Sequence, residues 1–261
     1  MTFPPKKLIF GSNLKMYKTN SETMAYLGKL QDLSRDLSRE LIDLFILPSC
    51  TALADACRAV DPSLLRIGAQ NVHWMPEGQF TGEISVRMLK DIGVNLVMIG
   101  HAERRQHFGE TDVTVNKRVL TSLEKGLQVL LCVGDTALDQ ELGVTSERLA
   151  LQLRIALNDV LEADLSRLWI AYEPVWAIGK GGKPAEPGFL NRMHGLLRTI
   201  LTEMYPNRGS EIPRLYGGSV NLKNAEDLIT QQEIDGLFVG RAAWDAENFN
   251  QLIRLAIRHT L

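Results

Sequence analysis

The feature that most constrains this chain is an alternation repeated about eight times: a short apolar run, then a longer, more polar stretch with apolar residues three and four apart. The runs are LIFG near residue 8, LFILP near 44, LRIGAQN near 65, LVMIGH near 96, QVLLCVG near 128, LWIAYEP near 168, RLYGGS near 214 and GLFVG near 236. Each is apolar almost throughout, as parallel strands covered on both faces should be. The intervening stretches, such as TVNKRVLTSLEKG and the run from Phe189 to Tyr205, have the spacing of helices buried along one side. No low-complexity linker or charge block divides the chain. The pattern predicts an α/β fold, a single (β/α)8 barrel domain over residues 1–261, with a doubly wound open sheet as the alternative.

Composition narrows the function classes. Of the 261 residues, 45 % are hydrophobic, enough for a large core, and barrels of this length fold as one unit. The formal net charge of −2 gives no long-range reason to expect nucleic acid or an anionic membrane as partner, so any bound anion must be held by local groups. Cys50, Cys57 and Cys132 are odd in number and form no CxxC pair, which suits a reducing cytoplasm. The opening MTFPPKK precedes an apolar run too short for a signal peptide or a membrane span.

In a barrel of this kind the active site sits at the carboxyl ends of the strands, so polar residues there carry the chemistry. The runs end in Gly11-Ser12-Asn13-Leu14-Lys15, Gln70-Asn71, His101-Ala102-Glu103-Arg104, Glu173, Gly217-Gly218-Ser219 and Gly240-Arg241. Singly, each has a bland reading as a turn residue, a helix cap or a first-turn charge. Together they place a carboxylate, an imidazole, an amide, an ammonium and several glycine-rich turns on one face.

Asn13-Leu14-Lys15-Met16, GAQN at Gly68 to Asn71, FTGE at Phe80 to Glu83, IGHAERR at Ile99 to Arg105, AYEPVWAIG at Ala171 to Gly179, YGGSV at Tyr216 to Val220 and DGLFVG at Asp235 to Gly240 resemble the motifs of the triosephosphate isomerase family, whose fold is the TIM barrel. The resemblance implies interconversion of a phosphorylated hydroxyketone and its hydroxyaldehyde through an enediolate. Glu173 would be the base, desolvated by its apolar strand and by Pro174-Val175-Trp176 folding over it. His101, ahead of a helix start that disfavours the imidazolium, would be a neutral hydrogen-bond donor; this glutamate and neutral histidine pairing is the standard worked example of acid–base tuning in that family and is carried over from it. Lys15 would add a fixed charge, Asn13 an amide donor, and Glu103 would orient the lysine.

The substrate phosphate would lie among N–H groups of glycine-rich turns: Gly179 in a lid loop over about 174–184, Ser219, and Gly240-Arg241. Gly179 to Gly182 lacks the spacing of a P-loop and does not open a helix as a Rossmann turn would, so no nucleotide cofactor is expected. His73, His107, His194 and His259 form no ligand cluster, so no metal is expected. The resemblance further implies a homodimer in which Thr81, on a projecting loop, reaches Asn13 and Lys15 of the other subunit.

Departures bear on the substrate. The common motif has tryptophan at Leu14, serine at Ala102, glutamate at Asp135 and glycine at Arg241, and the GKGGKPA lid is one residue longer than usual. The GxxGxPA lid and the VGR turn are similar to those of the branch that isomerises L-erythrulose 1-phosphate in erythritol catabolism. A barrel that binds a phosphate ligand without turning it over is the alternative from another class, and the retained Asn13, Lys15, His101 and Glu173 argue against it.

Overall fold

The computed structural model describes residues 7–178 and 184–258. Eight parallel strands, β1 (Leu8–Asn13), β2 (Ile42–Leu47), β3 (Arg66–Ala69), β4 (Leu96–Ile99), β5 (Gln128–Val133), β6 (Leu168–Tyr172), β7 (Arg214–Tyr216) and β8 (Gly236–Val239), follow one another around a closed barrel, with β8 pairing back onto β1. Closure decides between the two sequence-based alternatives in favour of the barrel.

Outside the strands lie α1 (Asn20–Leu33), α2 (Leu53–Ala59), α3 (Val86–Asp91), α4 (Ala102–His107), α5 (Asp112–Glu124), α6 (Ala137–Glu141), α7 (Thr145–Ala156), α8 (Pro187–Met204), α9 (Ala225–Ile229) and α10 (Ala246–Ile257). Their starts are written locally. Thr19 and Glu22 close a capping box on α1, Thr111 and Thr114 one on α5, Asp245 caps α10, and Pro187, whose missing N–H costs nothing there, opens α8.

The two-residue period of the strands sorts the apolar residues into two cores. Phe45, Leu47, Leu96, Met98, Leu130, Cys132, Trp169, Ala171, Leu215 and Phe238 point inward and fill the barrel. Their neighbours in sequence, such as Leu44, Ile46, Val97, Val129, Leu131 and Ile170, point outward and meet the helices. Phe45 packs on Trp169 and Phe238 with ring centroids 5.7 and 5.8 Å away, and a buried side chain of this size contributes about 1.5–3 kcal/mol. The interior is therefore solid, and ligands are confined to its rim. Among the described residues, no helix is long and apolar enough to cross a membrane.

Candidate active site

A cavity of about 1200 Å³ opens at the carboxyl ends of the strands, lined by Asn13, Lys15, His101, Glu103, Glu173, Ser219, Gly240 and Arg241 among others. Residues as far apart as Asn13 and Trp244, 231 positions, thus share one pocket, because the strands deliver their ends to the same face.

Glu173 follows β6 directly and is 2 % exposed. Its Oε2 accepts a hydrogen bond from the Ala102 N–H at 3.2 Å, and its Oε1 lies 3.2 Å from His101 Nε2. Two glycines allow this position: a Cβ on Gly134 would fall 1.9 Å from the Glu173 carbonyl oxygen, and one on Gly217 2.9 Å from its Cγ. Cys132 lies alongside. Burial, and then the neighbouring carboxylate, push its thiol well above the ordinary cysteine pKa, so it is a neutral packing group and not a nucleophile.

His101 is the N-cap of α4, and its Nδ1 accepts from the Glu103 N–H at 3.2 Å. A nitrogen that accepts carries no proton, so in this hydrogen bond the ring nitrogen left to donate is Nε2, which lies beside Glu173.

Lys15 lies in the turn after β1 with a φ of +53°, a conformation that costs a non-glycine residue about 1–3 kcal/mol. It is held there from several sides. Its N–H donates to Asn13 Oδ1 at 2.8 Å, its carbonyl accepts from Gln70 Nε2 at 2.9 Å, and its Nζ pairs with Glu103 Oε1 at 2.6 Å. Glu103 therefore touches both the cation and, through its own backbone, the imidazole.

Gly240 and Arg241 open a one-turn helix, Arg241–Ala243, whose first N–H groups have no acceptor within the helix. Ser219, just past β7, borders the same part of the cavity. Arg241 is exposed and forms no ion pair among the described residues. Thr81 is exposed on the loop between β3 and α3. Gly179, and with it residues 180–183 of the lid span 174–184, lies outside the described residues, as does His259.

The start of the lid differs from the expected cover. The Trp176 indole is turned to Asp135 Oδ2, 3.3 Å away, and packs edge-on against Phe189. Asp135 is a hub that strand-end reasoning missed: it also accepts from Tyr172 Oη at 2.7 Å and Thr145 Oγ1 at 3.1 Å, and its carbonyl accepts from the Val175 N–H at 2.9 Å. Burial, and then Asp135, push the Tyr172 phenol up, which keeps it a donor. Trp244, whose Nε1 donates to the Asn13 carbonyl at 3.0 Å, was missed as well. The signal available for both was position, each lying within a few residues of a strand's carboxyl end.

Comparison with known proteins agrees with this geometry. The family model for triosephosphate isomerase matches residues 8–256. A triosephosphate isomerase of Fusobacterium nucleatum is 41 % identical over 95 % of this chain and 98 % of its own length. One of Trichodesmium erythraeum is 43 % identical over 95 % and 98 %. An L-erythrulose-1-phosphate isomerase of Rhizobium etli is 41 % identical over 93 % of this chain and 90 % of its own. A closed eight-stranded barrel with these residues gathered on its carboxyl face, matched over nearly its whole length, belongs to the triosephosphate isomerase family.

Proposed function

We propose that this protein is an isomerase that interconverts a phosphorylated ketose and its aldose, with dihydroxyacetone phosphate and glyceraldehyde 3-phosphate as the substrate pair. The observation that carries the reading is the buried carboxylate of Glu173 with His101 Nε2 3.2 Å from its Oε1, beside the constrained Lys15. Substrate carbonyl and hydroxyl oxygens would take the place between these groups. Glu173 removes a proton from the carbon next to the carbonyl, the electron pair moves into an enediolate, and the same carboxyl returns the proton to the neighbouring carbon. His101 Nε2–H, Lys15 Nζ and the Asn13 amide stabilise the oxygen charge where it develops. No redox partner is needed, since one carbon is oxidised as the next is reduced.

The phosphate would rest on Ser219, Gly240 and Arg241, with Gly179 closing over it, so that binding of this unreactive group helps drive the lid shut. Residues 1–261 would act as one domain with a lid over about 174–184. Three cysteines free of disulfides suit a cytoplasmic enzyme of glycolysis and gluconeogenesis.

One observation favours a four-carbon substrate as a second reading. Arg241, which forms no ion pair among the described residues, stands at the rim of a cavity roomy enough for either sugar, and a relative with the same degree of identity is named for L-erythrulose 1-phosphate. The test is kcat/KM for dihydroxyacetone phosphate against L-erythrulose 1-phosphate. The expected result favours the three-carbon ketose. The reverse ratio selects the second reading, and tight binding of both without turnover would leave only a phosphate-binding barrel.

We also propose a homodimer. Met16 is 95 % exposed, and Met75, Phe80 and Phe108 are exposed on loops at the same end of the barrel, too much apolar surface to leave wet. Thr81 on that loop would sit beside Asn13 and Lys15 of the partner subunit. Sedimentation at micromolar concentration should give a dimer; a monomer contradicts it.

A further inference from the structure

Lys15 keeps an unfavourable backbone conformation, and such a residue persists only where its surroundings over-determine it. Asn13, Gln70 and Glu103 account for three of the restraints. A fourth comes from the turn after β8, the strand that pairs with β1. Trp244 follows the Arg241–Ala243 turn; its Nε1 donates to the carbonyl of Asn13, two residues before Lys15, and its ring lies 4.2 Å, centroid to centroid, from that of Tyr17, two residues after it. One side chain therefore grips both flanks of the strained residue.

The grip has a firm base. Tyr26 Oη donates to the Ala243 carbonyl at 2.6 Å, and Asn248 Nδ2 donates to that of Ala242, so the backbone that carries Trp244 is tied to α1 and α10. The same turn begins with Gly240 and Arg241, the groups assigned to the phosphate.

We propose that Trp244 is a positioning residue: it clamps the Asn13–Tyr17 turn so that Lys15 stays aimed into the cavity, and it ties that turn to the phosphate-binding turn after β8. The kinetic consequence rests on the isomerase reading given above; the structural one does not. Trp244 acts through Lys15 and is not required to touch substrate.

Trp244→Phe keeps a ring against Tyr17 and removes the N–H. The expected kcat falls about tenfold, the loss of one fixed hydrogen bond, while KM stays within about twofold because the phosphate turn is intact. Acetylation by acetic anhydride, followed by mass spectrometry, should in the same variant label Lys15 several-fold faster relative to the exposed, ion-paired Lys29 and Lys125. A merely structural defect would raise labelling generally and leave that ratio unchanged. Should Trp244→Phe fold poorly, Tyr17→Leu removes the stack from the other side and must raise the same ratio. An unchanged Lys15 labelling ratio, or an unchanged kcat, overturns the proposal. A parent protein that turns over neither ketose phosphate sinks the proposed activity, and the labelling ratio then decides the clamp alone.

Discussion

Glu173→Gln should lower kcat by about 10³- to 10⁴-fold while KM and thermal stability stay near those of the parent. The amide has the same shape as the carboxylate and can still accept the Ala102 N–H, so the packing against Gly134, Gly217 and Cys132 survives. What it cannot do is take a proton. The proposed phosphate groups Ser219, Gly240 and Arg241 follow other strands, which is why binding should be spared. A loss of only a few-fold would mean that another group abstracts the proton, and a large fall in melting temperature would mean that the carboxylate is structural.

Lys15→Met should lower kcat/KM about 10³-fold or more, and unlike the first variant it should also raise KM. Methionine fills the same volume, so the effect isolates the charge. Two consequences act together. The developing enediolate loses a cation fixed in advance, and Glu103, whose Oε1 is now paired at 2.6 Å, is left as an uncompensated negative charge at the mouth of a site that must admit a dianion. Steady-state kinetics at low and high salt separates these contributions, because added salt screens the repulsion from the half-exposed Glu103 and does not restore the missing donor. A KM equal to that of the parent would show that Lys15 takes no part in binding.

The barrel was legible in the sequence because its strands are buried on both sides and its helices on one, and each leaves its own period. Asn13, Lys15, His101 and Glu173 were legible for a related reason: in a closed parallel barrel the end of a strand is also a place on a surface, so position in sequence translates into position in the site. Gln70 shows the limit of this. It stands directly after β3 and lines the cavity, as its position implies, but its side chain is spent on the carbonyls of Lys15 and Leu47. Asp135, noted in the sequence only as a departure from the family motif, and Trp244 show a further limit: position near a strand end was their one signal, and their contacts were not legible. Asp135 gathers Tyr172, Trp176 and Thr145 from different elements, and Trp244 reaches Asn13 across 231 positions of sequence. Contacts of that kind depend on side-chain direction after the fold is closed, and no local period encodes them. Gly134 belongs with them, since its need to be glycine comes from the Glu173 backbone that passes over it.

The claim on which the rest depends is that Glu173 moves a proton between adjacent carbons. It is tested most directly by incubating dihydroxyacetone phosphate with the enzyme in D2O and following the carbon-bound hydrogens by proton NMR. The parent should introduce deuterium at the carbon beside the carbonyl, as the carboxyl exchanges its proton with solvent before returning it, and Glu173→Gln should introduce essentially none. Deuterium appearing at the parent's rate in Glu173→Gln would contradict the account and place the base elsewhere on the rim.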